Sequence, residues 1–552
     1  MRRAAIRDPL AVGAAAAFAV AGLAWLIHPW VPVEDLAIIE LEIRRVTSHP
    51  PLAGAYSSLP FDHPGPAMFL VLWAPYELFG ERSSALLAGT LWLNGAVAAL
   101  ALATARRLGG HLHAAMLGAG VAVWSLSDSR PLLLQPWNPY LGALPMVALV
   151  LLTWAMVERR AWALPLAVVL ASWMTQAHIQ FGPVALALTL GGGLTLGALA
   201  LRSGSAGARR SLLRAGLLAV VLGVVMWTPV IIDVASHGGD SNPALVAEHY
   251  RHNDEPAIPR GEVVRIARSE LSMTPTWAGG PLPYRVYDFP GASLFPALVP
   301  IAALVLLAAW RRQAWSEVRG IAVAGGALGV ALLSLSGITG AIGPWYLIAA
   351  EGASITLAAA VATSAVRSAS HLVRLHRLGP RADRWQPAAR WTLTASAMVL
   401  LCVALSNLRQ PYGEEVTAGV AEEVLPDLEA RIGSAPVLIE ARSGFGGWLQ
   451  AALALQLDRA GHQTFATTTL DGKFPADMEA PPPEDTVRFV VVTDPPDSIV
   501  WRDGVEVVED LSYPLSEGAV PLRVVIVQAP LGLGFISTQG PSASDAEPTG
   551  SN

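Results

Sequence analysis

Residues 83–104 read Ser-Ser-Ala-Leu-Leu-Ala-Gly-Thr-Leu-Trp-Leu-Asn-Gly-Ala-Val-Ala-Ala-Leu-Ala-Leu-Ala-Thr, a stretch with neither a charged residue nor a proline. An α-helix rises about 1.5 Å per residue, so roughly 20 apolar residues cross the hydrocarbon core of a bilayer. Because this stretch has the required length and composition, it predicts a membrane-spanning helix.

Comparable apolar runs recur on both sides of this stretch. We count eleven in all, near residues 10–28, 83–104, 113–126, 138–157, 161–175, 181–201, 214–232, 292–310, 320–337, 345–365 and 389–406. Of the 552 residues, 53% are hydrophobic and only 14% are charged, and this charged share is about half that of a soluble domain. The composition excludes a disordered chain and favours an α-helical polytopic membrane protein with about eleven transmembrane helices.

Arginine residues mark every second loop between these runs, which predicts the orientation. Cytoplasmic loops carry an excess of basic residues, and Arg2, Arg3 and Arg7 precede the first run. The arginines of the following alternate loops are Arg106, Arg107, Arg159, Arg160, Arg202, Arg209, Arg210, Arg214, Arg311, Arg312, Arg319, Arg367, Arg374, Arg377, Arg381, Arg384 and Arg390. We therefore expect a cytoplasmic N-terminus and an extracytoplasmic C-terminal region.

Cysteine, lysine and net charge restrict the function classes further. The single cysteine, Cys402, excludes an internal disulfide framework and a cysteine-based zinc site. The net charge of −6 gives no reason to expect nucleic acid as a partner. Lys473 is the only lysine, a usage that the sequence alone attributes to a GC-rich genome rather than to a mechanism.

The chain changes character after about residue 410. Residues 447–461 predict a helix, and buried strands are predicted at residues 436–442, 489–493 and 522–528. Strands that alternate with helices predict a small α/β domain. Residues 443–447, Ser-Gly-Phe-Gly-Gly, lack the Lys-Ser/Thr of a phosphate-binding loop, so we interpret them as a tight turn rather than a nucleotide site.

These observations divide the chain into three regions. Residues 1–410 form the predicted transmembrane domain with its outer loops, and residues 411–540 form the extracytoplasmic α/β domain. Residues 541–552, rich in Ser, Pro, Gly and Asp, predict a disordered tail.

The first outer loop opens on residues 33–42, Val-Glu-Asp-Leu-Ala-Ile-Ile-Glu-Leu-Glu, which predict a short helix at the membrane surface. Carboxylates close to hydrocarbon are costly, so Glu34 and Asp35 are candidates for a role. The alternative is the hydrated face of an interfacial helix, which periodicity alone favours. Farther on, residues 67–80 are apolar but short and contain Pro75, which predicts a second helix lying in the interface.

The order of these features resembles a known family. An acid in the first outer loop is followed by His63-Pro64-Gly65-Pro66, by an apolar run ending in Leu78-Phe79-Gly80, and by Arg82-Ser-Ser-Ala-Leu-Leu-Ala-Gly89 leading to Ala105-Arg-Arg-Leu-Gly109. This order is similar to that of the C-type (GT-C) integral membrane glycosyltransferases. Within this superfamily, the sequence resembles the protein-mannosyltransferase and aminoarabinose-transferase type and its actinobacterial relatives. The resemblance covers residues 10–110 and loosens towards residue 365.

The resemblance implies an enzyme of the bacterial inner membrane that transfers a sugar with inversion at the outer face. The donor would be a polyprenyl-phosphate-linked sugar, membrane lipid would surround its tail, and the acceptor would be an envelope glycan, lipid or protein. The family's acid, a general base or a group that orients the acceptor hydroxyl, falls on Asp35 with Glu34 beside it. The family often shows Asp-Glu, whereas this chain has Glu-Asp, so both residues remain candidates.

The leaving lipid phosphate needs cationic or hydrogen-bonding partners. The outer-face candidates are His63, Asp128, Arg130, Asn138, Gln176, His178 and Glu351. Each has a structural alternative: Arg130 can pair with Asp128, His178 can begin a helix, His63 can shape a turn, and Glu351 can pair with an arginine. None forms a cluster at metal-ligand spacing, so we assign no metal ligand, although a divalent cation bound by an aspartate stays open as a cofactor.

Two other function classes compete with the transferase. A lipid or sugar transporter or flippase would show two related halves and broken helices at the midplane, and the sequence contains no internal repeat. A catalytically inactive GT-C-like scaffold subunit would keep the helices without the chemistry. Substitution of Asp35 distinguishes these alternatives, because only the enzyme requires its carboxylate for bond formation.

Overall fold

The computed structural model describes ten stretches of the chain. They are residues 8–127, 130–252, 256–280, 295–339, 343–375, 381–442, 446–467, 473–493, 504–514 and 521–531, with the backbone alone at 372–375, 381–390 and 412. The predicted disordered tail, residues 541–552, lies outside the described residues. The chain forms two compact units, the first comprising Met1–Trp30 and Ile43–Arg409 and the second Val31–Glu42 and Gln410–Asn552.

Helices account for most of the described chain up to residue 406. In chain order they are α1 (Pro9–Leu26), α2 (Glu34–Arg44), α3 (Ala67–Leu78), α4 (Ser84–Ser127), α5 (Ala143–Val157), α6 (Ala163–Ala177), α7 (Gly182–Arg202), α8 (Ala206–His237), α9 (Asn242–His252), α10 (Arg260–Glu270), α11 (Leu298–Arg311), α12 (Trp315–Leu335), α13 (Ile348–Leu375) and α14 (Arg381–Ser406). Short 3-10 turns include Tyr140–Gly142, Ile179–Phe181, Thr276–Ala278 and Pro344–Leu347.

Each of the eleven predicted spans overlaps a helix of the described residues, which confirms the α-helical polytopic fold. Among the described residues, seven helices are long and apolar enough to cross a membrane. One of them, α4, unites the predicted spans 83–104 and 113–126 across a break at Gly110, whose φ of 69° is readily adopted by glycine. The other three predicted spans correspond to the shorter apolar helices α6 and α11 and to α14.

The helices differ in what surrounds them. The span Tyr140–Val157 is 94% buried, whereas the span within Ala206–Asp240 is only 17% buried. On α8 the exposed side chains Leu217, Val221 and Val225 are apolar, which suits contact with lipid. The first helix begins with a cap, because Asp8 Oδ1 accepts hydrogen bonds from the backbone N–H groups of Leu10 and Ala11.

Several arginines of the predicted inner loops pair with acids of the same unit. Arg319 donates to both carboxylate oxygens of Glu158, at 2.8 and 2.9 Å. Glu317 accepts from Arg312 at 2.7 Å and from Arg367 at 3.0 Å. These contacts link the ends of neighbouring helices.

The second unit contains a five-stranded sheet with the order β2-β1-β3-β5-β4. Its elements in chain order are α15 (Tyr412–Ile432), β1 (Val437–Arg442), α16 (Gly446–Arg459), β2 (Thr464–Thr467), β3 (Val487–Thr493), β4 (Glu506–Tyr513) and β5 (Leu522–Gln528). Strand β1 is parallel to β2 and β3, and β5 is antiparallel to β3 and β4. The predicted small α/β domain is therefore confirmed.

The start of α2 packs within this second unit. Three apolar residues of α2, Ala37, Ile38 and Leu41, share one buried cluster with residues of α16, β2 and the segment that follows β2. Those partners are Ala451, Ala454, Leu455, Ala466, Phe474 and Met478. The alternation of apolar and acidic residues in α2 thus buries one side against α16 and leaves Glu34 and Asp35 half-buried at its first turn.

Candidate functional site

The nine candidate residues divide between the two units. Glu34 and Asp35 belong to the second unit. Of the seven candidates in the first unit, Asp128 lies outside the described residues. The other six form two neighbouring groups. One group contains His63, Asn138, Gln176 and His178, and the other contains Arg130 and Glu351.

His63 and His178 stack on each other. Their ring centroids are 4.2 Å apart, and the side chains are 5% and 6% exposed. Asn242 fixes the backbone at His63, because its side-chain amide donates to the carbonyl groups of Asp62 and His63 at 3.1 and 3.2 Å. The stacked pair is thus held by a turn that begins at Asp62 and by the junction between α6 and α7.

Burial decides the charge of this histidine pair. It lowers the pKa of His63 to about 3, and burial together with the neighbouring His63 ring lowers the pKa of His178 well below its ordinary value. The Nδ1 atoms of His63 and His178 accept from the backbone N–H groups of Ile179 and Gln180, each at 3.4 Å. Both imidazoles are therefore neutral with the proton on Nε2, so they can offer hydrogen-bond donors rather than positive charge.

Gln176 and Asn138 support the same junction. Gln176 Nε2 donates to the carbonyl of Met226 at 2.9 Å, and Asn138 Nδ2 donates to the carbonyl of Ala177 at 3.2 Å. A Cβ at position 65 would lie 2.5 Å from Gln176 Oε1, so the His-Pro-Gly-Pro turn requires a glycine there. Gln176 lies in the last turn of α6.

Arg130 pairs with Glu351. Its guanidinium donates to the two carboxylate oxygens of Glu351 at 2.7 and 2.8 Å and to the carbonyl of Pro344 at 2.7 Å. The side chains of Arg130 and Glu351 are 9% and 0% exposed. A bidentate ion pair between buried side chains is strong. Arg130 is thus the partner of the buried Glu351 carboxylate in the first turn of α13.

A second carboxyl group joins this pair. The hydroxyl oxygen of Thr276 lies 3.0 Å from Glu351 Oε1 and also contacts Glu270 Oε1. Because a hydroxyl carries one hydrogen, Thr276 can donate to only one carboxyl group and must accept from the other. Burial and the nearby Glu351 carboxylate raise the pKa of Glu270 to about 8, so Glu270 holds the proton and donates to Thr276, which donates to Glu351. We call Arg130, Glu270, Thr276 and Glu351 the arginine cluster.

The 3-10 turn Pro344–Leu347 lies between the histidine pair and the arginine cluster. Pro344 accepts from Arg130, and the carbonyl of Trp345 accepts from Gln180 Nε2 at 3.0 Å. The ring of Tyr346 lies 5.9 Å from that of His178. The six described candidates of the first unit are therefore brought into one neighbourhood around this turn.

Glu34 and Asp35 stand at the first turn of α2. Acidic residues at this position are favoured by the dipole of the helix. Glu34 has a φ of 49°, a left-handed conformation that is uncommon outside glycine and that recurs at functional sites. Burial and the adjacent Asp35 raise the pKa of Glu34 to about 8.

Three further residues of the second unit surround Glu34. The indole of Trp448, in the first turn of α16, donates a hydrogen bond to the Glu34 carboxyl. Lys473 lowers the pKa of Glu34 by its positive charge, and Glu414 of α15 raises it. We call Glu34, Asp35, Glu414, Trp448 and Lys473 the lysine cluster. Burial, together with the charges of Asp35 and Glu414, outweighs the effects of Lys473 and Trp448, so the pKa of Glu34 stays raised.

Metal ligation was left open by the sequence. Within the part of the chain that the structure describes, no group of three or more His, Cys, Asp or Glu side chains is arranged to hold a metal ion. The buried carboxylate of Glu351 is occupied by Arg130 and Thr276 instead.

The sequence did not single out Glu270, Thr276, Asn242 or Trp448. Glu270 ends an amphipathic helix in a long polar loop, where most acids are hydrated, so nothing in the pattern distinguishes it. Asn242 acts through its contact with residues 180 positions earlier in the chain, which local patterns cannot show. Trp448 falls within the helix predicted at residues 447–461, and periodicity does not show what its indole contacts.

Comparison with known proteins was made by sequence and by structure. No protein-family model matches the sequence, and no curated protein matches it. The crystal structure of ArnT from Cupriavidus metallidurans bound to undecaprenyl phosphate is similar, with a TM-score of 0.53, 15% sequence identity, and coverage of 94% of this chain and 97% of that chain. The apo-state structure of the same protein has a TM-score of 0.47 and 13% identity, over 92% of this chain and 96% of that one.

At such identity, structural likeness establishes the fold and leaves activity to be argued from the site. The likeness extends over nearly the whole of both chains, including the C-terminal region. The chain is a multi-pass membrane protein with the fold of ArnT, and the GT-C fold predicted from the order of its sequence motifs is confirmed.

Proposed function

We propose that this protein is a glycosyltransferase of the bacterial inner membrane that uses a polyprenyl-phosphate-linked sugar as donor. The observation that carries the proposal is the pair of adjacent, half-buried carboxyl groups, Glu34 and Asp35, directly after the first span of a chain with this fold. The solved ArnT structure binds undecaprenyl phosphate, which supports a donor of the same chemical class.

The chemistry follows from the charges of the pair. Glu34, with a pKa of about 8, keeps its proton at neutral pH. Asp35 accepts the proton of an acceptor hydroxyl, whose oxygen forms a bond to the anomeric carbon of the sugar. The bond between that carbon and the phosphate oxygen breaks, the electron pair leaves with the polyprenyl phosphate, and the configuration is inverted.

The first unit offers groups suited to a phosphate. The neutral His63 and His178 present Nε2–H donors, and Arg130 brings the nearby guanidinium. Because Glu351 already neutralises Arg130, we assign the histidine pair the direct hydrogen bonds and Arg130 the support of the Pro344–Leu347 turn. The acceptor is a hydroxyl of an envelope glycan, lipid or protein.

The test is transfer by the purified full-length protein from a panel of radiolabelled polyprenyl-phosphate sugars to an envelope extract. We expect Asp35→Asn to lower the transfer rate by about 10²–10⁴-fold, the usual contribution of a general base. Glu422→Gln, which alters an exposed carboxylate of α15, is the matched control and should transfer normally.

Wild-type transfer with an unimpaired Asp35→Asn variant would remove Asp35 from the mechanism. Absence of transfer from every donor would contradict the proposed glycosyltransferase activity. Movement of the intact donor across a vesicle membrane by the same preparation would identify a transporter instead.

A further inference from the structure

Asp233 is a buried acid on a stretch of helix whose neighbouring side chains are exposed and apolar. It lies in the last turn of α8, where Ile231, Ile232 and Val234 are 54%, 49% and 46% exposed, whereas Asp233 is 6% exposed. A carboxylate that is taken out of water is costly unless hydrogen bonds or an opposite charge compensate for it. The partners of this carboxylate therefore indicate why it is buried.

Both oxygens of the Asp233 carboxylate have partners at the corner between α8 and α9. Oδ2 accepts from the backbone N–H of Asn242, the first residue of α9, at 2.8 Å. Oδ1 lies 2.8 Å from Nδ1 of His237, one turn farther along α8. The buried carboxylate thus fixes the place where α9 begins.

Asn242 connects this corner to the turn that carries His63. Its side-chain oxygen accepts from the backbone N–H of Asp62 at 2.8 Å, and its Nδ2 donates to the carbonyl groups of Asp62 and His63 at 3.1 and 3.2 Å. An amide supplies both the acceptor and the donor that these contacts use. One side chain, itself held by Asp233, therefore binds the backbone of two successive residues of the turn.

The remaining backbone groups of His63 are held by the preceding loop. The N–H of His63 donates to the carbonyl of Ala55 at 2.9 Å, and its carbonyl also accepts from the N–H of Gly54 at 2.8 Å. A Cβ built on Gly54 would lie 2.9 Å from the carbonyl oxygen of His63, so the two segments approach as closely as a glycine allows. The imidazole that stacks on His178 is thus placed from one side by the loop and from the other by Asn242.

We propose that Asp233 is a positioning residue for the phosphate of the donor, and that it acts by holding Asn242 against the turn that carries His63. The inference rests on the proposed function, in which the Nε2–H groups of His63 and His178 bind that phosphate. An N–H···O hydrogen bond forms over a narrow range of about 2.7–3.2 Å. A displacement of the turn by about 1 Å would therefore weaken the contact of His63 with the phosphate.

A purely structural role for Asp233 makes a different prediction. If the carboxylate only stabilised the corner between α8 and α9, its removal would lower the yield of folded protein, but the folded fraction would bind the donor lipid normally. A positioning role requires the folded fraction to lose affinity for the phosphate group in particular. The selectivity of lipid binding for phosphate therefore distinguishes the two roles.

The test measures the Kd of the purified, monodisperse full-length protein for undecaprenyl phosphate and for undecaprenol, which lacks the phosphate. We expect Asp233→Ala to raise the Kd for undecaprenyl phosphate by about tenfold, the effect of weakening one hydrogen bond to a charged group, and to leave that for undecaprenol unchanged. Asp233→Asn keeps an oxygen for the Asn242 N–H and should restore most of the affinity. Asp240→Ala removes an exposed acid two residues before Asn242 and is the control.

A second variant serves if Asp233→Ala does not fold. Asn242→Ala leaves the Asp233 carboxylate its backbone N–H partner and removes only the contacts with the turn, so it should show the same selective loss. Residues that act through one contact are not additive. The double variant His63→Ala/Asn242→Ala should therefore bind undecaprenyl phosphate no more weakly than His63→Ala alone.

Additive losses in the double variant, or equal losses for both lipids, overturn the positioning role. Unaltered Kd values in Asp233→Ala and Asn242→Ala overturn it as well, and they leave the proposed function intact. A wild type that binds undecaprenyl phosphate but transfers no sugar contradicts the transferase and leaves the phosphate site standing. A wild type that binds neither lipid overturns both.

Discussion

Two clusters in this molecule hold a pair of carboxyl groups beside one cation, and they differ in burial. In the arginine cluster Glu270 and Glu351 are fully buried, and Arg130 binds Glu351 through both oxygens. In the lysine cluster Glu34 and Asp35 are half-buried, and the cation is a single ammonium. Each pair contains one carboxyl group with a pKa near 8.

The difference shows what each pair can do. A bidentate arginine and a bridging hydroxyl leave the buried carboxyl groups little capacity to accept a substrate proton, so the arginine cluster stabilises the structure. The half-buried pair of the lysine cluster is accessible to a substrate, and its carboxyl groups can gain or lose a proton. The raised pKa alone does not separate catalytic acids from structural ones, whereas the hydrogen-bond partners do.

The largest effect on stability should come from Arg130→Ala. This change leaves Glu351 buried without its cation, and breaking a buried pair costs about 3–5 kcal/mol. Thermal unfolding followed by tryptophan fluorescence measures the loss, with Arg431→Ala as the comparison, since the exposed pair of Arg431 with Glu506 contributes only about 0–1 kcal/mol. Similar midpoints for the two variants would contradict a structural role for the arginine cluster.

A smaller effect is expected from Glu270→Gln, and it depends on pH. Folding raises the pKa of Glu270 from about 4.3 in the unfolded chain to about 8. The folded state therefore binds the extra proton, and stability falls as pH rises towards and through 8. Glutamine stays neutral, so the variant should match the wild type at low pH and unfold at a higher temperature at pH 9.

The control for this measurement is Glu422→Gln, whose carboxylate is exposed and should leave the pH dependence as it is. A wild-type midpoint that does not fall between pH 6 and pH 9 would remove the shared proton from the description of the cluster.

The smallest effect on stability should come from Glu34→Gln. Glutamine resembles the protonated form of this half-buried residue, so we expect little change at low pH and a gain in stability as pH rises towards 8. Transfer should persist, but its decline above pH 8 should disappear, because the variant cannot place a second negative charge beside Asp35. Complete loss of transfer at all pH values would instead make Glu34 the general base.

Sequence patterns identified the spans because hydropathy is a local property. Residues 84–104 form a helix as predicted, and each of the other ten runs overlaps a helix of the described residues. Strands β1, β3 and β5 were also predicted because they are continuous apolar runs. Strand β2 has four residues, and β4 is an exposed edge strand with a register shift between Val507 and Glu509, so neither carries a clear signal.

The candidate site was predicted only in part, for a different reason. The family resemblance assigned Asp35, and the need for phosphate partners at the outer face suggested His63 and His178. The structure adds contacts that neither argument contains. Glu351 meets Arg130 221 positions away, and Arg459 reaches Glu40 across 419 positions. Contacts of such separation depend on how the helices assemble, which periodicity along one helix does not specify.

The second unit draws Val31–Glu42 from near the beginning of the chain and everything else from its last quarter. A fragment starting at residue 410 would therefore lack the helix that packs against Ala451, Ala454 and Phe474, and this apolar surface would be exposed to water. During biosynthesis this buried cluster can therefore form only after α16, β2 and the segment that follows β2 have been translated.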